Sequence, residues 1–447
     1  MHPPPTARIL RQLPFFALIA LSLALGYAVL QKGGVWPADR YVCSLAVALT
    51  GVLCWVKVRQ RSAAPPLSRA TRWLLAALVP VFAFQILPLP ARLVSVLSPA
   101  RAELQRAAAP VIGPADWITL SAVPAASLSL LVTLVAGVLV LLLVREIAWR
   151  TSARPWLAAV PLIVIACLEA LLGLLQGGEG AAHGTYVNRN HFAGLLEMCL
   201  PFAAACGFEI LARTRGRDGP PVRSVLAACG MFTCAAFILA AVVLSQSRMG
   251  FAAALFGLGV TGVVGAANAR RRFWKLGPAA AVLGAVLAAF LFLPTDALIG
   301  RFAEMASTPG VSLGTRAQIW RETIPLVRDY PLFGCGLGSF ESCFARYKTV
   351  APPNTVDYAH NDYLQLLAEG GVVGFAVVLA LVVTIVAAAA SRAARRPRMA
   401  PSYVALACLG ALGAILLHSL VDFNLYIPVN ALVAAWVAGL ALVPQPR

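Results

Sequence analysis

Long apolar runs recur from one end of this chain to the other, and nothing else constrains its fold so strongly. "LPFFALIALSLALGYAVL" at 13–30 and "GFAVVLALVVTIVAAAA" at 374–390 are two of them. A helix needs about 20 such residues to cross the hydrocarbon core of a bilayer. Backbone polar groups find no water there, so a spanning segment must satisfy them internally, as a helix does. Only 12% of residues are charged and 60% are hydrophobic, whereas a soluble domain carries about 25% charged residues. The expected class is an all-α polytopic membrane protein.

About twelve transmembrane helices are expected, over 13–30, 41–56, 73–88, 126–144, 156–175, 192–212, 224–244, 250–268, 277–294, 371–390, 402–420 and 428–444. The first run follows Arg8 and Arg11, as the apolar part of a signal peptide would. No small-residue cleavage site follows it, and "QKGGVWP" leads into another run, so it reads as a retained span. Lys and Arg then set the orientation. With the amino terminus in the cytoplasm, 23 of the 36 basic residues fall on inner segments that hold few acids. Both termini are then cytoplasmic. The net charge of +18 is chiefly this topology signal, and the basic residues have no aromatic platform between them that would suit nucleic acid.

This divides the chain into helices one to nine (1–294), a large outer loop (295–370) and helices ten to twelve (371–447). A second outer stretch, 89–125, contains a short interfacial helix. In the large loop, "TRAQIWRETIPLVRDY" has helical spacing of apolar residues and stops at Pro331, and "DYAHNDYLQLLAEGGVVGF" starts a second helix that ends or breaks at Gly370–Gly371. Cys335 and Cys343 fall in the same loop, where an oxidising compartment permits a disulfide, and two reduced thiols fit equally.

On this topology the polar residues crowd one face. "GTYVNRNHFAG" (184–194), "SQSRMG" (245–250), "GTRAQIW" (314–320), "HND" (360–362) and "HSLVDFNLY" (418–426) all come to outer span ends or outer loops. Polar groups near membrane depth are costly, and a cluster of them marks function. Arg248 suits a phosphate at the membrane surface, or a side chain snorkelling to headgroups. Arg316 suits an anion at a helix start, or a salt bridge to Glu304 or Glu322. A free imidazole can take a proton from a hydroxyl at neutral pH, and His360 has Asn361 and Asp362 beside it, so it suits either a general base or a helix cap. Asn188, Arg189 and His191 suit sugar recognition, with Asn190 a candidate helix cap. Asp422 and Asn424 share that ambiguity. "GCGLG" at 334–338 lacks the Lys-Ser/Thr of a phosphate loop and reads as a tight turn. No HExxH or paired CxxC occurs, so no metal or cofactor is expected.

The ordered set "SRMG", "GTRAQIW", "YPLFGCGLGSF" and "HNDYLQLLAEGGVVG" resembles the O-antigen ligase and polymerase superfamily of bacterial envelope glycan enzymes, over the carboxyl-terminal two-thirds of the chain. "GTYVNRNHFAG" resembles a sequence in one branch of it. The resemblance implies a GT-C-like fold in the inner membrane and metal-independent, inverting glycosyl transfer at the periplasmic face. The donor would be a glycan on undecaprenyl diphosphate, and the acceptor a glycan, lipid A–core or a protein. It matches Arg248 and Arg316 to diphosphate binding and His360 to the general base. A ligase and a polymerase are both compatible. A lipid-linked sugar transporter would instead place its polar residues through the membrane midplane, and a purely structural envelope protein would have no need of His360.

Overall fold

The computed structural model describes residues 5–58, 64–176, 180–213, 221–267, 313–349, 355–394 and 402–444. Among them are fifteen α-helices and one two-residue antiparallel strand pair, Leu89–Pro90 with Trp117–Ile118. The helices are α1 (Pro5–Leu30), α2 (Pro37–Val58), α3 (Arg69–Phe84), α4 (Ala91–Leu97), α5 (Pro99–Ile112), α6 (Pro124–Arg150), α7 (Val160–Leu175) and α8 (Arg189–Arg213). They continue with α9 (Val222–Leu244), α10 (Arg248–Ala267), α11 (Leu313–Asp329), α12 (Phe340–Phe344), α13 (Asp362–Ala393), α14 (Tyr403–His418) and α15 (Pro428–Ala441).

The protein is an all-α polytopic membrane protein. Seven helices, α1, α2, α6, α8, α9, α10 and α13, are long and apolar enough to span a bilayer, and α7, α14 and α15 are shorter apolar helices. The expected ninth span, 277–294, and the 294/295 boundary lie outside the described residues, as do 295–312 of the large loop. The 89–125 stretch holds two short helices, α4 and α5, rather than one.

Helix α8 is the centre of the bundle. Its apolar window is 72% buried, against 22–39% for the other six spans. It packs against α7, α9, α10, α14 and α15. Its sequence explains this, since small residues such as Ala193, Gly194, Ala203, Ala204 and Ala205 let neighbouring backbones approach. A close approach joins α10 and α14, where a Cβ on Gly257 would lie 2.8 Å from the carbonyl oxygen of Gly410.

The two pieces expected around Gly370–Gly371 are one helix with a break inside it. In α13 only Gly371 leaves helical geometry (φ 60°, ψ −171°), a conformation that strains any residue with a Cβ. The segment "YPLFGCGLG" lies in the gap and satisfies the backbone groups the break frees. Val372 N–H donates to Pro331 O (2.8 Å), and Cys335 N–H donates to Ala368 O (2.9 Å). Gln85 closes the joint, donating to Phe333 O and Glu369 O and accepting from Leu337 N–H. Gly334, Gly336 and Gly338 all have positive φ, so "GCGLG" is a turn and not a phosphate loop.

Beyond the bundle, α11, α12 and the start of α13 share a small core of Ile319, Leu326, Tyr330, Phe340 and Phe344, with Cys335 and Cys343 inside it. The α11 helix ends at Asp329, two residues before Pro331. Trp320 ties it to the segment before α13 by donating from Nε1 to Ala359 O (2.9 Å). That bond ties the helix that carries Arg316 to the residue next to His360.

Candidate active site at the mouth of the bundle

One carboxylate organises this end of the molecule. Asp422 lies in the loop between α14 and α15 and is 1% exposed. Its Oδ2 accepts from Asn190 Nδ2 at 2.7 Å and faces Arg316 Nη2 at 3.5 Å. Its Oδ1 accepts from Phe423 N–H at 2.9 Å and faces His360 Nδ1 at 3.5 Å and His191 Nε2 at 3.7 Å. Burial alone would raise the carboxyl's pKa. The contacts from His191 and His360, with the Arg316 charge, outweigh burial and hold it well below the usual carboxylate range. Asp422 is therefore an anion at neutral pH.

Four segments far apart in sequence supply these groups, and local structure aims each one. Arg316 sits in the first turn of α11 and is fixed by a second bond, Nη1 to Val421 O at 2.7 Å. Asn190 and His191 sit in the first turn of α8. His360 immediately precedes the Asn361 cap of α13 and has φ 50°. A left-handed backbone on a non-glycine residue costs about 1–2 kcal/mol, and such strain collects at functional sites. Phe423 forms the floor: the His191 and His360 rings stand edge-on to it, with centroids 4.6 and 5.0 Å away, and Tyr358 stacks on it at 4.0 Å.

The sequence candidates divide into those that converge here and those held in the scaffold. His360, Arg316 and His191 meet at Asp422. Asn188 caps α8, its Oδ1 accepting from Asn190 N–H (2.8 Å). The cap is thus Asn188 and not Asn190, whose amide goes to Asp422 instead. Asn361 caps α13, accepting from Tyr363 N–H and Leu364 N–H and donating to Leu420 O. Asp362 is buried and accepts from Ser419 Oγ (2.6 Å) and Leu425 N–H (3.2 Å). It therefore fixes the loop that carries Asp422.

Arg248 begins α10, is exposed, and has no hydrogen bond or ion pair among the described residues. Arg189 begins α8, donates from Nη1 to Gln246 Oε1 (3.4 Å), and lies near enough to feel the Arg248 charge. Gln246, within "SQSRMG", has φ 53°. Two guanidinium groups thus stand at two adjacent helix N-termini, where free N–H groups favour anions. Cys335 and Cys343 are free buried thiols in contact; that contact and burial push the Cys335 thiol well up.

Sequence placed His418 only within the outer segment 418–426 and gave Glu197 and Asn430 no role. Glu197 of α8 and His418 of α14 form a pair at 2.9 Å, fully inside the bundle. Asn430 of α15 donates to His191 O (3.0 Å) and accepts from Tyr186 O–H (3.0 Å), which locks the "GTYVNRNH" loop to the last helix.

No curated protein matches the chain. Residues 233–379 match the O-antigen ligase family.

Proposed function

We propose, from a chain whose residues 233–379 belong to the O-antigen ligase and polymerase superfamily, that the site around Asp422 transfers a glycan from undecaprenyl diphosphate to an acceptor hydroxyl. The observation that carries this reading is the convergence of His360 and Arg316 on Asp422, which lies outside the matched residues. His360 turns Nδ1 toward Asp422, leaving Nε2 for a substrate proton. An ionised carboxylate behind an imidazole fixes its tautomer and stabilises the imidazolium that forms.

The reaction is a single displacement. The acceptor O–H bond breaks and its proton passes to His360 Nε2. The acceptor oxygen bonds to the anomeric carbon, and the bond from that carbon to the diphosphate breaks with its electron pair on the leaving oxygen. One displacement inverts the anomeric centre. Negative charge grows on the diphosphate, and Arg248, Arg316 and Arg189 are the groups that meet it. Removing one such preorganised donor costs about 3–4 kcal/mol. The chemistry needs no metal, because guanidinium groups supply the positive charge. Arg189 and His191 belong to the same mouth, while Asn188, Asn361 and Asp362 support it from beneath.

We place this mouth at the periplasmic face of the bacterial inner membrane, with both termini in the cytoplasm. The excess of basic residues on the opposite segments supports that orientation. A donor activated as a lipid diphosphate suits a compartment without ATP. The leading reading is a ligase that moves a finished glycan to lipid A–core, another glycan or a protein. A polymerase of the same superfamily uses the same chemistry.

The test is genetic. The chromosomal gene is deleted and restored as wild type, His360→Ala or Arg316→Ala, and surface glycans are separated on a gel. Loss of capped lipid A–core with long free chains accumulating identifies a ligase, and products of one repeat identify a polymerase. Full restoration by either variant at normal expression would refute the assignment.

A further inference from the structure

Asp422 faces two imidazoles, and the displacement above uses one. His191 is 5% exposed, and its Nε2 has no hydrogen-bond partner among the described residues. That nitrogen points at the oxygen His360 also faces, at 3.7 and 3.5 Å respectively. These distances are longer than a formed hydrogen bond. Catalytic contacts are often long before substrate binds and tighten afterwards. His191 is held firmly on the first turn of α8, and Asn430 grips its carbonyl. Phe423 lies edge-on to both rings, so neither histidine stacks away from the carboxylate.

We propose that His191 is a positioning residue for the base, sharing Asp422 with His360 so that the two rings bind protons as one coupled unit. The proposal rests on the reading of His360 as general base. One carboxylate oxygen can compensate one imidazolium well. A second proton adds a positive charge beside Arg316, already 3.5 Å from the same carboxylate. The other charged groups near the unit are Asp362 at the start of α13, Arg189 beside His191 in α8, and the Glu197–His418 pair between α8 and α14. Glu197 and His418 are matched to each other at 2.9 Å, and Asp362 to Ser419. Asp422 is therefore the carboxylate that both rings depend on. When His191 is charged it draws Oδ1 toward itself and His360 loses its orienting partner. When His191 is neutral, His360 keeps that partner. Interacting sites of this kind titrate as a pair.

The experiment uses the full chain in detergent micelles with 15N-labelled histidine, and follows the ring signals between about pH 5 and pH 9 in wild type, His191→Gln, His360→Gln and Asp422→Asn. Glutamine keeps an amide donor where Nε2 stood but does not titrate. The expected result is a broadened, two-step curve for His360 in wild type that becomes a simple one-proton curve in His191→Gln. A His360 curve identical in the two proteins overturns the proposal. If His191→Gln fails to accumulate, Asp422→Asn decides: the coupling between its two rings must be smaller than in wild type, and coupling of undiminished size overturns the proposal.

A rate measurement gives the second readout, with undecaprenyl-diphosphate-linked glycan extracted from the host strain as donor. On the acid side the logarithm of the wild-type rate should fall with a slope approaching 2 and that of His191→Gln with a slope near 1, with less than about a tenfold loss near pH 8. A uniform loss at every pH would mark His191 as merely structural. The proton coupling is read without any turnover. Coupled histidines in a protein that transfers no glycan would leave this inference standing and sink the glycosyl-transfer reading alone.

Discussion

Asp422 illustrates how much one buried side chain can settle. A carboxylate at 1% exposure survives as an anion only because amide, imidazole and guanidinium donors surround it. Its lowered pKa has a consequence for stability. The folded protein favours the ionised form more than the unfolded chain does, for which the reference is 3.8. The stabilisation is therefore fully present above about pH 4 and is lost as pH falls toward the folded value. Thermal unfolding in detergent should show a drop in Tm below pH 4 that is smaller in Asp422→Asn. The Glu197–His418 pair makes a second prediction at this scale. Both side chains are fully buried, so Glu197→Ala leaves an unmatched imidazole in the bundle and should cost about 3–5 kcal/mol. Denaturant unfolding checks this, and a loss under 1 kcal/mol would mean that the pair is not formed.

At the scale of elements, the break in α13 joins the bundle to the extramembrane core. Gly371 has φ 60°, and a Cβ there would lie 2.4 Å from the Leu332 carbonyl carbon. Gly371→Ala should therefore cost at least about 1–2 kcal/mol from the left-handed backbone alone, with the clash in addition. Its expected signature is faster proteolysis of residues 331–349 with α8 still protected. The break, the loop helix ending before Pro331 and the turn at "GCGLG" were legible in sequence, because glycine and proline act locally. Asp422 was legible only as a polar residue near a span end. Its partners come from residues 190–191, 316 and 360, and no spacing encodes their meeting; packing of α8 against α14 does. The capping assignment went to the wrong asparagine for a related reason, since which amide in "NRN" turns inward depends on where Asp422 sits. Of the acids near Arg316 in the chain, Glu304 lies outside the described residues, and the carboxylate that Arg316 is seen to meet is 106 positions away.

At the scale of the whole molecule, the two ends of the bundle differ in charge chemistry. The site gathers the starts of α8, α10 and α13. The opposite end gathers Arg145 and Arg392, which donate to the carbonyls of Leu442, Leu440 and Ala441 and close the end of α15. The expected orientation comes from the basic-residue count along the sequence, and the expected spans from its apolar runs. That orientation predicts the outcome of labelling with a membrane-impermeant maleimide in intact cells whose outer membrane has been permeabilised. With the exposed Cys229 replaced by Ser, His183→Cys should react and Arg154→Cys should not. The reverse pattern would put the site in the cytoplasm.

The central claim is that Asp422-held His360 removes the acceptor's proton. It is tested most directly by single-turnover transfer in proteoliposomes, with undecaprenyl-diphosphate-linked glycan from the host strain and its natural acceptor. His360→Ala should slow the chemical step by about 10²–10⁴-fold, with donor binding nearly unchanged. A His360→Ala protein that transfers glycan within threefold of the wild-type rate would contradict the account.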